Sequence, residues 1–92
     1  MIVINGKKYE VVEESRGSLD IAVLTEKLTE YFDNYDYIVG DWAYGKLRLK
    51  GFNDSTNKNF NKINDYHNIK KYIEDSCAYG CKYFILKRNY VD

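Results

Sequence analysis

Proline is missing from this sequence altogether, histidine and methionine occur once each, and cysteine only twice. Neither sign of charge is in excess, since 14 Lys and Arg stand against 14 Asp and Glu. Each shortage narrows what the chain can do. With zero net charge there is no overall field to draw it to nucleic acid or an anionic membrane, so any such contact must come from a local patch. No apolar run approaches the ~20 residues that cross a bilayer, and the opening MIVINGKKYEVVEE reaches charged residues too soon for a signal peptide. The expected setting is the cytoplasm, without membrane insertion. Two cysteines and no export signal also argue against a disulfide-stapled secreted scaffold. No GxGxxG, Walker loop, GxSxG or HExxH pattern is present, which leaves nucleotide-dependent, hydrolase and metalloprotease chemistry without support.

What the chain does have is apolar and aromatic mass. Hydrophobic residues make up 45%, with 10 Tyr, 4 Phe and 1 Trp, too much for a disordered segment. Its 92 residues suffice for one core, and residues 1–92 are expected to form one domain. Tyr, Asn, Lys and Ile are together what the codons of an A/T-rich genome favour, so tyrosine content alone is no functional signal.

Met1 to Ile4 and Lys8 to Val12 read as strands joined by Asn5-Gly6, a pair suited to a two-residue turn because both residues tolerate positive φ. Ser18, after the break at Arg16-Gly17, is placed to cap a helix predicted over Leu19 to Phe32, where Ile21, Leu24, Leu28, Tyr31 and Phe32 recur at helical spacing. Tyr35 to Val39 and Lys46 to Lys50 form a second strand pair separated by GDWAYG. Residues 53–64, NDSTNKNFNKIN, carry five Asn and two Lys and predict a mobile, solvated loop anchored by Phe60 and Ile63. Asp65 should cap a second helix, with Tyr66, Ile69, Ile73 and Cys77 on one stripe, ending near Tyr79 before Gly80. Tyr83, Phe84, Ile85 and Leu86 are four consecutive apolar residues, the mark of a central strand covered on both faces. The order β-β-α-β-β-α-β predicts an α+β fold, a mostly antiparallel sheet with two helices packed on it.

In KLRLK the alternation is strict, with Leu47 and Leu49 on one face and Lys46, Arg48 and Lys50 on the other. Centring the hairpin on Ala43 pairs Val39 with Leu47, Tyr37 with Leu49 and Asp36 with Lys50, which keeps the apolar sets together. GDWAYG is then a loop in which Asp41 caps local amides while Trp42 and Tyr44 cover the sheet edge. Alternatively Asp41, Trp42 and Tyr44, beside Lys46, Arg48 and Lys50, form a recognition surface, since loop tips on rigid hairpins often bind.

The block YDYIVGDWAYGKLRLKGF, with YEVVEE before it and YIEDSCAYGCKYFILK after it, resembles the YutD-like proteins, small proteins of low-GC Gram-positive bacteria. The resemblance spans most of the chain and departs in the Asn-rich residues 53–64. It implies a cytoplasmic bacterial α/β protein, brings no reaction, ligand or catalytic residue with it, and points to GDWAYGKLRLKGF and CAYGC as the places for a family-wide role.

Chemistry finds little foothold. Cys77 and Cys81 lie four apart, and with His67 they still leave a zinc shell short, so Cys77 is expected in the core and Cys81 at a strand start. His67 and either cysteine sit roughly 15 Å or more apart along one helix, too far for a dyad. Asp36, Asp41 and Asp54 flank the second hairpin, but Asp36 is accounted for by Lys50. No catalytic residue, metal or cofactor is expected. The favoured function is a non-enzymatic binding or regulatory domain acting on a protein partner through the Trp42, Tyr44 and Arg48 region. The alternative is nucleic-acid binding, with Lys46, Arg48 and Lys50 on phosphates, Lys82, Lys87 or Arg88 extending the patch, and a tyrosine stacking on a base.

Overall fold

The computed structural model describes residues 1–76 and 81–90. The expected core position of Cys77 and the helix end near Tyr79 lie outside the described residues. Five strands, β1 (Ile2–Ile4), β2 (Lys7–Glu14), β3 (Tyr37–Ala43), β4 (Lys46–Phe52) and β5 (Tyr83–Asn89), form one sheet with the order β1-β2-β5-β3-β4. Every strand pairing in it is antiparallel. Two helices, α1 (Ile21–Lys27) and α2 (Ile69–Ser76), complete the expected β-β-α-β-β-α-β order.

β5 is central, as its four apolar residues predicted, and alternation along it divides the core in two. Phe84 and Leu86 join Ile4, Tyr9, Ile38 and Leu47 beneath Leu24 of α1 and Leu28 just after it. Ile85 points the other way and packs with Val39, Phe52 and Ile69, the last from α2. One helix thus covers each face.

The first turn is as expected: Asn5 and Gly6 take φ of 53° and 80°, and Ile4 pairs with Lys7. Asn5 also works at a distance, its Nδ2 donating to the Leu28 carbonyl at 3.1 Å at the end of α1. The first helix is shorter than predicted. Asp20, not Ser18, caps it by accepting from the Val23 amide, while the buried Ser18 hydroxyl donates to the Ser15 carbonyl at 2.6 Å. At Leu28 the backbone leaves helical angles, and a 3-10 turn over Glu30–Phe32 carries the chain on. Leu24, Leu28 and Phe32 stay buried across this break, so the apolar stripe survives although the helix does not, while Ile21 and Tyr31 from the same stripe are exposed.

The Asn-rich segment is a largely exposed loop, as expected, but its asparagines order it from within. Asn53 is fully buried, its Oδ1 accepting from the Asp36 amide and from Asn57 Nδ2. Asn61 Oδ1 accepts from the amides of Ile63 and Asn64, and Asn64 Nδ2 donates to the Asn59 carbonyl. These asparagines stand in for absent secondary structure by binding backbone. Ile63, expected as an anchor, is exposed, and Phe60 is half-buried. Asp65 caps as predicted, accepting from the His67 amide at 3.0 Å, but opens a 3-10 turn, Tyr66–Asn68, that runs into α2.

Candidate functional site

The β3–β4 hairpin carries every candidate binding residue, and its register differs from the expected one. Ala43 pairs with Lys46, leaving Tyr44 and Gly45 as a two-residue turn with φ of 54° and 76°. GDWA is therefore strand, not loop. Val39 faces Lys50, Asp41 faces Arg48 and Trp42 faces Leu47. A longer ladder with a tight turn outweighs the match of like side chains that favoured a six-residue loop. Apolar and basic residues consequently share a face, because α2 covers that face over Val39 and Phe52 and leaves its outer margin to Arg48 and Lys50.

Asp41 is 1% exposed and caps no loop amide; its Oδ2 accepts from Arg48 Nε at 3.1 Å and from Arg48 Nη2. Burying a carboxylate is costly unless a charged donor meets it, and the Arg48 guanidinium brings two N–H groups to the one oxygen, Oδ2. The same hydrogen bond, followed by the carboxylate charge, raises the Arg48 pKa above its ordinary value. Asp41 Oδ1 has no hydrogen bond of normal geometry. Tyr72 of α2 lies close by: burial first, then the Asp41 charge, push its phenol above 10.0, with Arg48 opposing. Lys50 extends over the rings of Phe52 and Tyr72, 5.5 and 5.8 Å from their centroids. Lys46 is exposed beside the turn.

Trp42 faces the opposite side. It packs against the α1 core, and its Nε1 donates to the Ser18 carbonyl at 2.7 Å, so it is a structural residue rather than a contact tip. Its neighbour Gly40 lies beneath Phe84, where an added Cβ would meet the ring at 2.1 Å. Tyr44 stands at the tip of the turn, its side chain wholly exposed.

Asp36 does not pair with Lys50; its carboxylate accepts from the Asp54 amide and the Tyr90 hydroxyl, at 2.9 and 3.1 Å. Lys87 lies over the Tyr37 ring on the Arg48 face, Arg88 stacks on Tyr9 and Tyr90 on the other, and Lys82 stands near Gly17, so the three do not extend one patch. Cys81 precedes β5 as expected, but as a disulfide-bonded side chain and not a plain structural thiol. His67 is exposed and bonded to Asp65. Among the described residues, no group of three His, Cys, Asp or Glu could hold a metal ion, and no helix is long and apolar enough to cross a membrane.

Sequence reasoning missed a cleft of about 500 Å³ along the outer edge of β4. Its lining includes Leu49 and Gly51 of β4, Tyr31 and Tyr35, and Asn61 and Tyr72. The alternation in KLRLKG marked the strand, but nothing local told that it lies at the sheet edge.

Comparison with known proteins agrees with this architecture. The profile of the family described as "Putative antitoxin YutD-like" matches residues 3–87. A relative from Bacillus subtilis (strain 168), named "Putative antitoxin YutD", is 38% identical over 88 residues, 96% of this chain and 97% of its own length. The solution NMR structure of YutD from Bacillus subtilis superposes with a TM-score of 0.78 at 37% identity, covering 98% of this chain and 82% of the other. With the profile running from β1 into β5 and the relative matched almost end to end, the chain belongs to the YutD-like family.

Proposed function

We propose that the chain is a non-enzymatic binding module that acts on a protein partner through the β3–β4 hairpin. Tyr44 carries this reading. At the corresponding turn position of the first hairpin the chain places Asn5, which tolerates left-handed φ; at the second it places a bulky tyrosine at the same φ and leaves it in water. A side chain larger than asparagine in that conformation costs about 1 kcal/mol and gains nothing within the molecule. Strain of this kind is compensated by contact with something outside, and tyrosine is among the residues that dominate protein interfaces. Arg48 is pinned by Asp41 next to it, which removes the entropy cost of ordering it on binding. The word antitoxin in the name of the Bacillus subtilis relative supports a role exercised on a partner.

Affinity capture from the native host, split into nuclease-treated and untreated halves, tests the proposal. A protein retained after nuclease by the wild type and lost with Tyr44→Asn is the expected outcome. Partners that vanish with nuclease would transfer the row Lys46, Arg48 and Lys50 to nucleic acid, and their affinity would then fall steeply with salt.

A further inference from the structure

The outer side of β4 is an unpaired strand edge, and its backbone direction follows from the hairpin. A two-residue turn closes with a pair that exchanges both hydrogen bonds, so Lys46 and, by alternation, Arg48, Lys50 and Phe52 direct their backbone groups to β3. Leu47, Leu49 and Gly51 then direct theirs outward. Asn53 confirms the phase: its amide donates to the Asn64 carbonyl at 2.6 Å, and its carbonyl accepts from the Tyr66 amide at 3.0 Å. Residues 64–66 thus already add to this edge as a short parallel bridge centred on Asp65. Before Asn64 the chain curls away on the Asn61 side-chain bonds, and the cleft opens beside Leu49, while the neighbouring Gly51 is buried beneath the Tyr35 ring, which an added strand must shift to reach its backbone.

The charges say what can fill this gap. Lys46, Arg48 and Lys50 line one face of the edge, and Asp41, the carboxylate opposite Arg48, is buried beneath them. A second copy pairing antiparallel about Leu49 would set Arg48 against Lys50 of the other copy, and like charges directly opposite are destabilising. Lysine on an edge strand is a common guard against such pairing. The chain's own adjoining residues 59–64, NFNKIN, hold no carboxylate. A strand with acidic residues at alternate positions meets neither obstacle, and its intervening apolar residues fall on the other face of the edge, that of Leu49.

We propose that the open edge of β4 takes an extended, acidic segment of the protein partner as a sixth strand, bonded to the backbone of Leu49 and Gly51. This rests on the protein-binding reading above and specifies its mode, strand addition with main-chain bonds for affinity and alternate side chains for selectivity.

Amide hydrogen exchange on the full chain, followed by NMR, tests it with two probes: a peptide alternating glutamate with valine and its lysine–valine counterpart. The acidic peptide is expected to slow exchange at Leu49 and Gly51 about tenfold, leave Lys50 and Phe52 unchanged because β3 already holds them, and lose its effect at high salt. Lys46→Glu with Lys50→Glu should reverse the preference between the peptides. Equal protection by both peptides, no protection by either, or Leu49 and Gly51 amides already as slow as that of Lys50 without peptide would each overturn the proposal. A captured partner that resists nuclease yet leaves these two amides unprotected removes the edge assignment and keeps the protein-binding reading. Partners lost to nuclease remove both.

Discussion

Tyr44, Trp42 and Gly40 lie within five residues of one another and answer to different forces. Tyr44→Asn relieves left-handed strain on a residue with no intramolecular packing, so it should raise the stability of the isolated protein by about 1 kcal/mol, read as a higher urea midpoint with unchanged slope. Gained stability with lost partner binding is the signature of a contact residue. Trp42→Ala should do the reverse, removing core packing and the bond to Ser18 and lowering stability by roughly 3 kcal/mol. Gly40→Ala forces a methyl group into the Phe84 ring within a strand held on both sides. Neither β4 nor β5 can yield easily, so a loss of about 3 kcal/mol is expected in the same urea experiment. A loss below ~0.5 kcal/mol, the ordinary range of surface changes, would mean that the ring has another place to go.

At the scale of elements, the strands were legible in the sequence and the helices less so. The Asn5-Gly6 turn, the alternation in KLRLK and the apolar run of β5 are local signals, and each named its element correctly. The central place of β5 was legible too, since only a strand covered on both faces carries four apolar residues in succession. Register was not. Matching Val39 with Leu47 assumed that one face of the hairpin is apolar throughout, whereas α2 covers part of the opposite face and draws Val39 and Phe52 there. A helix near the end of the chain thus decides which residues of an earlier hairpin stand opposite each other. Of the candidate site, Tyr44 and the basic row were visible by residue type. Trp42 was misplaced, because six residues between strands read as a loop when only two are needed. Asp41 and Tyr72 come together through tertiary packing that no local pattern records. Tyr72→Phe should keep the ring under Lys50, change stability little at neutral pH, and flatten the alkaline loss described below.

For the molecule as a whole, tyrosine makes the stability depend on pH from the alkaline side. Burial is the leading cause holding the phenols of Tyr9, Tyr37, Tyr72 and Tyr90 protonated above their ordinary 10.0. At Tyr35 and Tyr83 the leading cause is a hydrogen bond, to Tyr31 and Glu13 respectively. In the unfolded chain these phenols ionise first, so their contribution is complete below pH 10 and declines as pH rises through the folded values. Urea midpoints recorded across the alkaline range should hold level up to about pH 10 and then fall. A midpoint that stays level well beyond that would show that the phenols ionise without opening the fold.

The place of β5 between β2 and β3 carries a consequence for how the protein is made. A ribosome delivers β1 to β4 before β5, and until β5 arrives the two hairpins share no strand. Isolated hairpins are marginal in water, so from the end of β4 at Phe52 until β5 begins at Tyr83 the nascent chain has at most two unjoined halves of its sheet. Insertion of the last-made strand is then the step that turns a set of local turns into a protein, and a message cut short before Tyr83 would yield a product without the centre of its sheet.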